Sequence, residues 1–136
     1  MNPVMVFLRS LRHACRGLGD VFWAEQSFRL QVGLTIIVLA LSVLFGLQWW
    51  EFILLFLLCA AVLVLEIVNS ILERLADAVH PRLSPMVREV KDMMAGAVLL
   101  TSLVALTVGV IIFYPHFHQL WCVILDTCVR RGEGAA

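Results

Sequence analysis

EIVNSILERLAD, residues 66–77, carries Glu66, Asn69, Glu73 and Asp77 on what is otherwise an apolar helix. Offsets of three, seven and eleven residues from Glu66 place all four side chains within an arc of roughly 80° on one helix face. An ionised carboxylate at a bilayer centre costs roughly 2.5 to 3.5 kcal/mol on the translocon scale, so the stripe requires a partner, a cation or a function. The stretch reads as a site on a helix that begins inside lipid.

The surrounding chain supports a lipid setting. Of 136 residues, 62% are hydrophobic, and the mean hydropathy is +0.96. A soluble domain of ordinary composition is less apolar than this. Three stretches, about 30–49, 52–72 and 93–114, are long and apolar enough to cross a bilayer as helices. Gln48, Trp49, Trp50 and Glu51 predict a tight turn and an aromatic belt between the first two. Upstream, Val4, Phe7, Leu8, Leu11, Cys15, Leu18 and Phe22 share one helical face, opposite Arg9, Arg12, Arg16 and Asp20. That pattern predicts an interfacial amphipathic helix over about 4–28, with Gly17 and Gly19 permitting a bend. The expected class is an all-α membrane protein with three transmembrane helices and an N-terminal amphipathic helix.

Charge placement sets the expected orientation. Of ten Lys and Arg residues, Arg9, Arg12, Arg16 and Arg29 precede the first span, and Arg74, Arg82, Arg88 and Lys91 lie between the second and third. Both regions are expected in the cytoplasm, with the Trp49 turn and the C-terminus outside; Arg130 and Arg131 run against this without reversing it. No cleavable signal is visible. Cys15, Cys59, Cys122 and Cys128 form no CxxC pair, and His116 and His118 lack companion ligands, so neither zinc nor a disulfide framework is implied. Within 93–114, Ala95, Gly96, Ala97, Ser102, Ala105 and Gly109 keep part of the helix surface small, as close packing in lipid requires. No fixed repeat occurs. Residues 1–117 are expected to form one domain, followed by an extension over 118–136. Three spans enclose the carboxylates of the second poorly, so an oligomer is expected.

In the expected orientation, Glu25, Glu66, Asn69, Glu73, Asp77, Lys91 and Asp92 gather at one membrane surface. Glu66 to Asp77 covers about 16 Å of helix, from the apolar layer toward water. Carboxylates plus an amide suit magnesium, which takes one or two carboxylates and completes its shell with water and phosphate oxygens. Glu25 and Glu73 are the candidate metal ligands. Glu66, the deepest acid, is the candidate base for a lipid alcohol, and Lys91 a cation for a transferring phosphoryl group. Two competing readings remain. One is a transmembrane proton or ion relay, against which the acids cluster at one face with no second set in the other spans. The other is a non-enzymatic small membrane subunit whose acids stabilise an oligomer.

Together with AEQSFR (24–29) and VKDMMAGAVLL (90–100), EIVNSILERLAD resembles the prokaryotic diacylglycerol kinase family, which also contains the undecaprenol kinases. The likeness runs from about Phe7 to Phe117 and includes the fifteen-residue step from Asp77 to Asp92. It implies an ATP-dependent lipid kinase of the bacterial inner membrane: a multi-pass homotrimer with active sites between chains, no nucleic-acid partner, magnesium as cofactor and ATP as co-substrate. By position, Glu66, Asn69 and Lys91 resemble catalytic residues. Glu25 and Glu73 resemble metal ligands; Asp77, Lys91, Asp92 and His13 resemble nucleotide contacts. Arg16, Glu25, Phe28, Arg29 and Glu66 resemble the lipid-substrate side. The chain departs from the family pattern at Arg82, Leu83 and Ser84, where an acidic or Tyr-His element is common, and at His13, where an aromatic is common. Diacylglycerol leads as the expected acceptor, with undecaprenol as the alternative.

Overall fold

The computed structural model describes the backbone of residues 2–79 and 85–133, and side chains through residue 78 and from 85 to 122. Arg82, Leu83 and Ser84, and the side chains of Cys128, Arg130 and Arg131, lie outside the described residues. The chain is all-helical in the order α1 (Pro3–Ala24), α2 (Gln26–Leu44), α3 (Trp49–Val79) and α4 (Pro85–Glu133). Helices α2, α3 and α4 are long and apolar enough to cross a membrane.

The helices differ in extent from the apolar stretches read in the sequence. α2 begins before Leu30 and stops at Leu44, and α3 continues past Leu72 to Val79. α4 starts at Pro85, ahead of Met93, and runs through Pro115 to Glu133, so the extension begins as a continuation of the same helix. Hydropathy marks where a helix crosses lipid, whereas caps and backbone hydrogen bonds mark where it ends. Helix α1 is continuous through Gly17 and Gly19, neither of which has a neighbour within 4 Å of a built Cβ.

The first hairpin shows this capping control. Gly46 has φ 62°, its N–H donates to the Val43 carbonyl, and the Leu47 N–H donates to the Ser42 carbonyl, each at 3.1 Å. This is a Schellman end, which favours glycine because its αL residue carries no Cβ. The turn therefore sits at Phe45–Gln48, not at Gln48–Glu51. Trp49, Trp50 and Glu51 form the first turn of α3, where Glu51 Oε2 accepts the Gln48 N–H at 2.9 Å and adds negative charge at the helix N-terminus.

α3 packs against both α2 and α4. Leu55 on α3 and Ile112 and Phe113 on α4 are buried, with Phe45 edge-on to Phe113 and 4.9 Å from the Phe117 ring. Contact between α3 and α4 is close at Gly109, where a Cβ would meet Leu55 Cδ2 at 4.0 Å. In lipid the gain comes from dispersion and shape more than from removal of apolar area from water. Polar groups within the spans bond to their own backbone: Ser42, Thr101 and Thr107 hydroxyls donate to the carbonyls four residues earlier, as apolar surroundings demand.

Between α1 and α2 the chain turns at Glu25, in extended backbone (φ −105°, ψ 116°). Arg29 Nη1 donates to the carbonyls of Trp23 (2.9 Å) and Phe22 (3.3 Å), closing the end of α1. Phe28 is 4% exposed and edge-on to Phe22, so the corner has its own small core. The result is a fixed elbow that projects the Glu25 side chain.

Gly46→Ala is expected to destabilise by about 1–2 kcal/mol, through the αL backbone alone since no atom crowds the new methyl. Thermal unfolding of detergent-solubilised protein measures this, and Gly46→Asn should recover part of the loss.

Candidate functional site

Helix α2, helix α4 and the elbow at Glu25 each meet the C-terminal half of α3. Glu66 is 7% exposed, and its Oε2 accepts a hydrogen bond from Gln31 Nε2 of α2 at 3.2 Å. A donor is what a carboxylate in an apolar bundle needs. Ser70, one turn on, is also buried, at 2% exposed. The deep end of the stripe therefore faces α2.

The middle of the stripe faces α4. Glu73 Oε1 lies 3.6 Å from Lys91 Nζ, and both flank a cleft of about 280 Å³ that Asn69, Ala76, Val90 and Met94 also line. Asn69 Oδ1 is buried with no hydrogen-bond partner among the described residues. Leaving such an oxygen bare costs about 1–3 kcal/mol, a strain that a ligand bearing a donor would relieve. Structure thus brings together Asn69, Glu73 and Lys91, three of the residues singled out in the sequence.

Glu25 goes elsewhere within the same chain. Its Oε1 is 3.4 Å from Arg74 Nη2, tying the α1–α2 elbow to α3. Glu25 and Glu73 are paired with different cations, and no group of three His, Cys, Asp or Glu side chains able to hold a metal occurs among the described residues. Both ion pairs have side chains 31% to 49% exposed, so each contributes only about 0–1 kcal/mol and opens readily to a better-charged partner. As donors the two carboxylates suit a hard cation that brings its own phosphate oxygens; a single chain does not bring them to one point.

The remaining candidates are distributed along the elements. Asp77 and Asp92 are exposed on α3 and α4, at the solvent end. His13 and Arg16 are exposed on α1. Phe28 is packed in the elbow, and Arg29 caps α1, which gives both a structural role there.

Sequence reading missed Gln31 and Arg74. Gln31 was detectable as an amide inside an apolar run, a placement that lipid penalises unless the group is paired. Arg74 was counted for orientation only; its pairing with Glu25 depends on where the elbow turns. Running from Gln31 between α2, α3 and α4 toward Phe117 is an apolar groove of about 520 Å³, bordered by Thr35, Val38, Val62, Ser102 and Gly109 among others.

The sequence model of prokaryotic diacylglycerol kinase matches residues 12–113. The chain is 29% identical over 114 residues to an undecaprenol kinase of Bacillus subtilis (strain 168), covering 84% of this chain and 93% of that protein. It is 30% identical over 114 residues to a diacylglycerol kinase of Synechocystis sp. (strain ATCC 27184 / PCC 6803 / Kazusa), covering 83% of this chain and 65% of that one. The matched span holds α2, α3, the Gln31–Glu66 contact and the Asn69–Glu73–Lys91 cleft, and the chain belongs to the prokaryotic diacylglycerol kinase family, a family of membrane lipid kinases.

Proposed function

We propose that the chain transfers the γ-phosphoryl group of ATP to the hydroxyl of a membrane lipid alcohol, with Glu66 as the general base. The observation that carries this reading is the buried, amide-held Glu66 carboxylate about two turns along the same stripe from the half-exposed Glu73–Lys91 cleft. One end of the stripe suits a lipid hydroxyl and the other a water-soluble polyphosphate. Glu66 takes the hydroxyl proton as the alcohol oxygen bonds to the γ-phosphorus. The bond from that phosphorus to the bridging oxygen breaks, and ADP leaves with the electron pair. Lys91 offsets charge on the moving phosphoryl group, and the Asn69 amide orients it. Asp77 and Asp92, at the solvent end, stand on the nucleotide side, with His13 on α1. Arg16 lies on the lipid-headgroup side of the same helix.

Magnesium, bound by Glu25 and Glu73 with the phosphates, would neutralise phosphate charge. Since one chain holds these carboxylates apart, the proposed assembly is a homotrimer in which each site takes Glu25 from one protomer and Glu73 from its neighbour. Apolar side chains such as Leu34, Leu57 and Leu106, each about 60% exposed, supply surface for lipid and neighbouring chains. The site is proposed to face the cytoplasm of a bacterial inner membrane, following the Lys and Arg distribution.

Two acceptors stand against each other. Motif reading alone leads with diacylglycerol, giving phosphatidic acid. Undecaprenol, giving undecaprenyl phosphate, is supported by the alignment with the undecaprenol kinase over 93% of its length, against 65% for the diacylglycerol kinase. Purified protein assayed on each alcohol side by side, with product identified by mass, is expected to phosphorylate undecaprenol faster. Preference for diacylglycerol would reverse that ranking, and inactivity on both would overturn the lipid-kinase reading.

Glu66→Gln is expected to lower kcat by about 10²- to 10⁴-fold while the oligomer keeps its size in detergent. An assembly that dissociates without any defect in residual chemistry would instead favour a purely structural role for the acid. Glu73→Ala should raise the magnesium concentration needed for half-maximal rate, and an unchanged magnesium titration would remove Glu73 from the metal.

A further inference from the structure

Resting on the reading of Glu66 as the base, we propose that Gln31 is its positioning residue and that the same amide receives the hydroxyl end of the acceptor lipid. Three observations on one side chain carry this. Gln31 Nε2 donates to Glu66 Oε2 at 3.2 Å, and the opposite amide orientation would set two oxygens against each other. Gln31 Oε1 is buried and has no hydrogen-bond partner among the described residues, so the amide is half satisfied. Gln31 also lines the polar end of the apolar groove that runs between the three long helices to Phe117.

The groove suits a hydrocarbon chain by shape and lining, and its head end is this amide. From Gln31 to Phe45 α2 and its cap advance about 21 Å at 1.5 Å per residue, longer than the roughly 15 Å of hydrocarbon in one leaflet, so the groove reaches past the bilayer midplane and suits a long chain. A lipid alcohol lying in it brings a hydroxyl to the place where an acceptor oxygen lacks a donor. One O–H shared between Gln31 Oε1 and Glu66 is held against the base before its proton leaves, in a three-centre arrangement. No new bond-making is added to the phosphoryl transfer; Gln31 keeps its own protons throughout.

An amide at this position differs in kind from an acid. A glutamate would offer Glu66 no proton in its ionised form and would set a like charge beside it. Methionine keeps the length and volume and offers neither group. Histidine can present a ring N–H.

The test is a steady-state series on the full-length protein in mixed micelles, with acceptor lipid and ATP varied separately, and with thermal unfolding and oligomer size measured on each variant. Gln31→Met and Gln31→Glu are expected to lose at least about 10-fold in kcat, with the KM for ATP within about twofold of wild type and a loss of kcat that does not track the change in unfolding temperature from one variant to the next. Gln31→His should regain most of the loss. Wild-type kcat in Gln31→Met, or losses that follow unfolding temperature across the series, would overturn the proposal. Glu66→Gln is measured in parallel: if it is inactive while Gln31→Met is fully active, only the role of Gln31 fails, whereas full activity in Glu66→Gln removes the base and this inference with it.

Discussion

A carboxylate enclosed by apolar helices persists only where a donor meets it, and in this chain the Gln31 amide meets Glu66. That contact sets the rotation of α2 against α3, since a turn of either helix by one residue would aim one polar group at hydrocarbon. The apolar groove begins at the same amide. The contact's strength as a hydrogen bond is modest; its leverage comes from what would be left bare without it.

Along the stripe of α3 the four polar residues change surroundings in order. Glu66 is buried, Asn69 and Glu73 are intermediate, and Asp77 is exposed. A reaction between a lipid-soluble alcohol and a water-soluble phosphate donor needs such an ordered set, because each reactant must remain in its own phase until they touch. Lys91 and Arg74 answer the half-exposed acids with pairs weak enough to open. At Gly109 the absence of a side chain lets α4 approach Leu55 of α3.

The elbow is a second fixed point. Arg29 at the end of α1, with Phe28 packed on Phe22, makes a packed corner from residues that the family resemblance placed on the lipid-substrate side. A guanidinium beside helix carbonyls satisfies groups that lipid would leave exposed. Glu25 is thereby aimed by the backbone and not by its own flexibility. Within the chain it reaches Arg74 and not Glu73, which pairs with Lys91.

Helical class, the three apolar spans and the polar stripe of α3 were legible in the order of residues, because hydropathy and a period of 3.6 are local properties of the chain. Family membership was legible too, in motifs whose order and spacing survive without coordinates. Helix ends were not: Gly46 moved the first turn forward, and α4 continued through Pro115, since caps and neighbouring contacts set where a helix stops. Which acid meets which partner was likewise decided by tertiary structure. Gln31 and Glu66 are thirty-five residues apart in the chain, and only the packing of α2 on α3 determines that an amide in one apolar run answers a carboxylate in another.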